Sequence, residues 1–166
     1  MNAGCYGREF KDIVISVQAI DFAGKVQTIS SSQIKFNYRS TDLPKNLVYL
    51  SVTLKGKISK KDTIKKKIEE LKLNKENSQP LRVKTSGSTF KNPINQTDKK
   101  SWELIKSSIS ERISYGDAII SEKHANFFVN KKNAKSADMK SLINFVKKKV
   151  KDKTGIKLEL EIVVVE

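Results

Sequence analysis

The 166-residue sequence predicts an α+β chain, with strands first and helices mixed with strands afterwards. Three observations carry this. Up to residue 54 the apolar residues are β-branched and alternate, as in D-I-V-I-S-V-Q-A-I at 12–20 and L-V-Y-L-S-V-T-L at 47–54. Beyond Gly56 the period lengthens: Ile64, Ile68 and Leu71, and later Met139, Leu142, Ile143, Val146 and Val150, recur at helical spacing. Short apolar runs at 118–120 and 127–129, and a longer one at 157–166, return as strands between and after those helices.

Taken in order, the strand at 12–20 turns at D-F-A-G into a hairpin partner at 25–29. S-S-S-Q at 30–33 supplies a capping box for a short helix ending near Phe36. The strand at 47–54 reads as better buried than the first two. Ser59 is the expected cap of the helix carrying Ile64, Ile68 and Leu71, and Pro80 ends that helix. Asp98 is expected to cap a helix with Trp102, Ile105 and Ile109 on one face. Ser136 is expected to cap the last helix, with Gly155 as its stop. A division near Gly56 separates 1–56 from 57–166, with the final strand, 157–166, expected to pack back on the first part.

Thirty-three Lys and Arg against eighteen Asp and Glu give a net charge of +15, which suits nucleic acid or a phosphorylated small molecule as a partner. The lysines are scattered along the outer faces of helices, and a solvated surface is the simpler account of them. Nothing resembles a paired-aromatic, G-x-x-G or helix-turn-helix signature, so no nucleic-acid partner is expected. The single cysteine, Cys5, excludes a disulfide framework and a zinc cluster, and no metal site is expected. No apolar run approaches the ~20 residues of a membrane span. The opening M-N-A-G-C-Y-G has no secretory character. A cytoplasmic protein without a membrane partner is the expectation.

The stretch T-S-G-S-T-F-K-N-P at 85–93 offers hydroxyls, a glycine and exposed backbone N–H groups, which can meet phosphate or a developing negative charge. By itself it reads as a turn. It is accompanied, in fixed order, by N-A-G-C-Y-G at 2–7, F-N-Y-R-S-T at 36–41, S-E-K-H-A-N-F-F-V-N at 121–130 and L-E-L-E-I at 158–162. Together these resemble the UDP-N-acetylenolpyruvoylglucosamine reductases (MurB), flavoenzymes of bacterial peptidoglycan synthesis. The resemblance runs through essentially the whole chain.

It implies a remnant of the second FAD-binding lobe in 1–56, built of antiparallel strands, and a small α+β substrate-binding domain in 57–166. It also implies that NADPH reduces FAD, which passes hydride to the enolpyruvyl group of UDP-N-acetylglucosamine enolpyruvate, giving UDP-N-acetylmuramate. The carbon beside the carboxylate must then be protonated. By resemblance Ser88 is the proton donor, and Arg39 and Glu161 stabilise the enolate. Arginine suits a carboxylate because it stays charged and binds it bidentately, whereas a serine hydroxyl donates well only in an organised site. Asn92 and His124 match contacts near the substrate diphosphate, Lys75 a basic phosphate contact, and Asn2, Ala3, Gly4, Tyr6 and Gly7 a flavin-facing turn. Singly, Arg39 also reads as a surface ion pair, Ser88 as a turn hydroxyl and Glu161 as an exposed edge residue.

Two departures stand out. The family has a flavin-binding lobe before N-A-G-x-Y-G, so a separate chain supplying it, or an inactive fragment that only binds the UDP-sugar, are alternative readings. In S-S-I-S-E-R-I-S-Y-G-D-A, Ile109, Arg112 and Asp117 occupy positions where the family has glycine. A positive φ at any of them would cost about 1–2 kcal/mol.

Overall fold

The computed structural model describes residues 1–165 and divides into two compact units, Met1–Lys61 and the remainder from Asp62. The first unit opens with a small hairpin of β1 (Gly4–Cys5) and β2 (Arg8–Glu9). Its two turn residues, Tyr6 and Gly7, have φ of 51° and 74°, as a type I′ turn requires. At Gly4 a Cβ would stand 2.9 Å from the Arg8 carbonyl oxygen, so the hairpin's own closeness demands glycine there.

The main sheet of this unit is antiparallel, with β3 (Val14–Asp21) between β4 (Val26–Ser30) and β7 (Leu47–Leu54). The D-F-A-G turn is closed by the Asp21 carboxylate, which accepts the N–H groups of Ala23 and Lys25, each at 2.9 Å. The capping box forms, with Ser30 N–H donating to Gln33 Oε1 at 3.0 Å, but the 3-10 turn it starts spans Ser31–Gln33 and stops short of Phe36. A second hairpin, β5 (Phe36–Asn37) with β6 (Ser40–Thr41), turns through Tyr38 and Arg39. One expectation is reversed. β7 has the expected bounds but is exposed over almost its whole length, whereas β3 buries Val14 and Ala19. Among the described residues β7 is an edge strand paired only with β3, and its apolar composition does not by itself supply a covering layer.

The second unit joins α1 (Lys61–Ser78), α2 (Ser101–Ser108) and α3 (Ser136–Thr154) to an antiparallel sheet ordered β8-β11-β10-β9. Those strands are β8 (Lys84–Ser88), β9 (Ser114–Tyr115), β10 (Ala118–Ile120) and β11 (Phe127–Asn130). Phe90, Leu104, Ile105, Ala118, Phe128, Leu142, Val146 and Val150 form one buried core, so α2 and the α3 stripe pack on the sheet. α1 ends before Pro80 as expected, but it buries none of its residues, Ile64 and Ile68 included.

The helix caps are corrected. The backbone N–H of Lys100, not Asp98, opens α2 by donating to Glu103 Oε2 at 2.7 Å. Lys135 N–H donates to Asp138 Oδ2 at 2.8 Å, so Ser136 is the first helical residue and not the cap. α1 begins at Lys61, two residues past Ser59. At α2 and α3 a carboxylate three residues on takes the orphan N–H more strongly than a nearby hydroxyl, and it also complements the helix dipole. Gly155 ends α3 with φ 74° as expected.

The C-terminal run is not a continuous strand. It makes one bridge, Phe90 with Leu160, flanked by Lys91 N–H to Glu159 O and Glu161 N–H to Thr89 O, both 2.9 Å. Residue 166 of the expected strand lies outside the described residues. The three departures from glycine carry no backbone strain: among the described residues the non-glycines with positive φ are Tyr6, Arg39 and Arg82. Gly116 keeps its φ of 53°.

Candidate functional site

Ser88 is the last residue of β8, opposite Phe127 of β11. Before it the register slips: Thr85 faces Val129, so Ser86 and Gly87 together oppose Phe128. This is a β-bulge, and Gly87, at φ 88°, takes the conformation that other residues resist. The bulge re-aims the strand end, leaving Ser88 half-buried. No hydrogen bond engages its hydroxyl among the described residues.

The segment after Ser88 is held from both sides. Thr89 N–H donates to Asn126 O at 2.8 Å, and Thr89 O accepts Glu161 N–H. The Asn126 side chain then pairs with both backbone groups of Phe90, accepting its N–H at 3.0 Å and donating to its carbonyl at 2.8 Å. Asn126 thus replaces a missing strand. The bridge to Leu160 takes the opposite edge, so Glu161 stands beside the residue that follows Ser88. Sequence reasoning gave Asn126 no role of its own. Its signal is an amide set between Ala125 and the apolar F-F-V run, where a buried polar group needs a fixed partner.

His124 precedes β11 at this same end of the sheet. Its Nδ1 accepts the Asn126 N–H at 3.2 Å, and its ring lies edge-on to Phe127 at 4.7 Å and tilted to Trp102 at 6.2 Å. Burial holds its pKa below the ordinary imidazole value, which keeps the ring neutral at pH 7. Asn92 Oδ1 accepts the N–H of Ser101 at 3.1 Å, and Ser101 Oγ donates to Lys91 O at 2.5 Å, so K-N-P is fastened to the start of α2. Lys75 is exposed in the last turn of α1, and Lys123 Nζ donates to the Glu76 carbonyl beside it, tying the 121–126 loop to that helix end. The second unit therefore brings Ser88, Glu161 and His124 to one end of its sheet. Next to them a groove of about 810 Å³ is lined by Trp102, Ile105, Lys106, Ile120, Lys123 and His124.

In the first unit, Arg39 is the second turn residue of the β5–β6 hairpin, at φ 56°, with its guanidinium 4.9 Å from the centre of the Tyr38 ring. A non-glycine in this region is strained, and such strain concentrates at functional sites. Asn2 is buried and spent on the fold: Nδ2 donates to Glu9 Oε2 at 2.7 Å and to Asn37 O, while Oδ1 accepts Lys11 N–H at 3.1 Å. Lys11, 2.7 Å from Glu9, and then Asn2 hold the Glu9 carboxyl below its usual range. Ala3 N–H donates to Met1 O, and its carbonyl accepts Phe10 N–H, both at 2.8 Å. Tyr6 and Gly7 are exposed at the hairpin tip.

Residues 79–165 match the family model of the UDP-N-acetylenolpyruvoylglucosamine reductase C-terminal domain. A relative of that name from Pelagibacter ubique is 57% identical over 162 residues, covering 98% of this chain and 54% of its own length. One from Rickettsia conorii is 43% identical over the same shares. The crystal structure of UDP-N-acetylenolpyruvylglucosamine reductase (MurB) from Thermus caldophilus superposes with a TM-score of 0.80 at 31% identity, covering 97% of this chain and 56% of that one. The chain spans about half the length of the curated relatives it matches. With the family model covering the core, the bulge and the segment that returns to Thr89, the chain belongs to the UDP-N-acetylenolpyruvoylglucosamine reductase family.

Proposed function

We propose that this chain supplies the substrate-binding and proton-donating part of the reduction of UDP-N-acetylglucosamine enolpyruvate to UDP-N-acetylmuramate, with NADPH as hydride source and FAD as carrier. The observation that carries the reading is the pairing of Glu161 with Thr89, next to a Ser88 hydroxyl that no described residue engages. In this reading Ser88 gives its proton to the carbon beside the substrate carboxylate, and Arg39 binds that carboxylate. Glu161 hydrogen-bonds the enolate oxygen as charge develops there. Asn92, His124 and Lys75 serve the diphosphate.

The flavin, when bound, supplies the hydride. The N-A-G-C-Y-G hairpin fits a flavin contact through the exposed backbone of Tyr6 and Gly7, but not through the Asn2 amide, which the fold consumes. The exposed apolar residues of β7, Val48, Tyr49, Leu50 and Val52, favour a covering partner for the first unit, and the relatives have as much length again. The same two facts favour a second reading, in which this chain alone binds the UDP-sugar without turnover.

The test uses two preparations. The chain alone with FAD should not oxidise NADPH in response to the enolpyruvyl sugar. Combined with the unmatched half of the Pelagibacter relative, Ser88→Ala should slow reduction of the enolpyruvyl group ~10²–10³-fold while leaving flavin reduction by NADPH unchanged. Equal slowing of both half-reactions would make Ser88 a structural residue.

A further inference from the structure

The terminal run that carries Glu161 meets the segment after Ser88 at a single bridge, with one backbone bond on each side of it. Its apolar side chains do not fix its place along its own axis. Leu158 is seated in the core and Leu160 and Ile162 pack beside it, but apolar contact is non-directional. A slip of two residues keeps the alternation of L-E-L-E-I, putting Leu160 where Leu158 was and Ile162 where Leu160 was. It would carry Glu161 about 7 Å along the run, at ~3.4 Å per residue, and away from Thr89.

One further contact bears on this. Gln96 Nε2 donates to Lys157 O at 3.0 Å, and Gln96 Oε1 accepts Lys157 N–H at 2.9 Å. The device is that of Asn126 on Phe90, a side-chain amide taking both backbone groups of one residue as a neighbouring strand would. Gln96 is exposed, where water would satisfy its amide and where ordering a long side chain costs entropy. Its place is set by the turn after K-N-P, in which the N–H groups of Gln96 and Thr97 both donate to Pro93 O, at 2.8 and 3.1 Å. The segment that starts at Ser88 thus grips the terminal run twice, through residues 89–91 and through Gln96.

We propose that Gln96 is a positioning residue for Glu161. The inference rests on the function proposed above, which gives Glu161 its role, and adds what keeps Glu161 beside Ser88. α3 ends at Gly155, whose N–H donates to Lys151 O at 2.8 Å, and Gln96 holds the chain again two residues later. With both points fixed the run has no slack for a slip, and Glu161 stays opposite Thr89. Gln96 acts through the backbone of the run and not on the substrate.

Amide hydrogen exchange of the intact chain, followed by NMR, tests this without any turnover. Gln96→Leu, which keeps the bulk and removes both bonds, should cut protection roughly tenfold at Lys157 and also at Glu161, four residues beyond the lost contact. In Gln96→Glu the carboxylate accepts Lys157 N–H but repels Lys157 O. Once protonated it can donate to that carbonyl as the amide does, so protection at Glu161 should recover as pH falls through about 4.3, and Gln96→Leu should show no such recovery. In the enzyme completed with the unmatched half of the Pelagibacter relative, Gln96→Leu should lower kcat for the enolpyruvyl sugar roughly tenfold at unchanged KM, with flavin reduction by NADPH unaffected. Loss of protection confined to Lys157 overturns the proposal and leaves the proposed function standing. Unchanged kcat in Gln96→Leu overturns it too, and Glu161→Gln in the same assay then separates the two failures. Lost turnover in Glu161→Gln keeps the role of Glu161, and normal turnover overturns that role as well.

Discussion

Replacing Asn126 by alanine should destabilise the second unit by about 3–4 kcal/mol. The Asn126 amide accepts Phe90 N–H and donates to Phe90 O, and all the groups involved are buried. Phe90 cannot turn to another partner, because its other edge is already bridged to Leu160. Removing the amide strands one buried donor and one buried acceptor, each costing ~1–3 kcal/mol, and water entering the small vacated space recovers part of that. Against a total stability of ~5–15 kcal/mol the loss is large. Urea denaturation, read by circular dichroism, measures it. Asn126→Asp separates the two bonds: it keeps an acceptor for Phe90 N–H but sets a carboxylate oxygen against Phe90 O, so it should be no more stable than the alanine variant. A loss below about 1 kcal/mol for Asn126→Ala would show that the segment after Ser88 is held by the Leu160 bridge alone.

Three further outcomes are expected. Arg39→Gly relieves a positive φ worth about 1 kcal/mol, so thermal melting should show the first unit no less stable while reduction of the enolpyruvyl sugar by the completed enzyme is lost. Gly116→Ala puts a Cβ 2.7 Å from Asp138 Oδ2 at φ 53°, disturbing the carboxylate that holds Lys135 N–H at the start of α3; denaturation should show a loss of about 1–3 kcal/mol. The depressed pKa of His124 means that the unfolded chain takes up the proton first as pH falls through about 6.5. That contribution is fully present above this value and lost as pH falls through the lower folded pKa. Stability measured from pH 7.5 to 5.5 should therefore fall less steeply in His124→Gln than in the parent.

The sequence made the elements legible because their periods are strong. The alternation at 47–54 marks β7 to the residue, and the α3 stripe is buried as its spacing predicts. It failed where a property depends on what lies opposite. A covered and an uncovered strand have the same composition, so the exposure of β7 was invisible. The caps at Asp98 and Ser136 were misplaced because an acidic residue three positions on, Glu103 or Asp138, decides where the orphan N–H goes. Asn126 was missed because its partner is 36 residues away. The bulge before Ser88 appears only once Thr85 and Ser88 are matched to Val129 and Phe127.

The polar residues of the site separate by what the fold asks of them. Asn2 and Asn92, both assigned to ligands by resemblance, use their side-chain oxygens on backbone N–H groups, of Lys11 and Ser101. Alanine at either position would loosen a hairpin or the start of α2 before it touched any ligand, so lost activity there would not locate a binding contact. Ser88 is the opposite case. Its backbone is fixed by the bulge and by the pairing with Phe127, while its hydroxyl takes no part in either. Removing that oxygen costs the fold nothing that the structure records, and a kinetic effect of Ser88→Ala can be read as chemistry. The neighbouring Thr89 shows the limit of this logic: its Oγ1 also lacks a partner, but it is buried among packed atoms with Thr89 only 1% exposed. A hydroxyl with no partner and no access costs stability and does nothing else, so Thr89→Val should leave the reaction intact and raise stability, and the pair Ser88→Ala and Thr89→Val tests whether the Ser88 oxygen serves chemistry while that of Thr89 is merely enclosed.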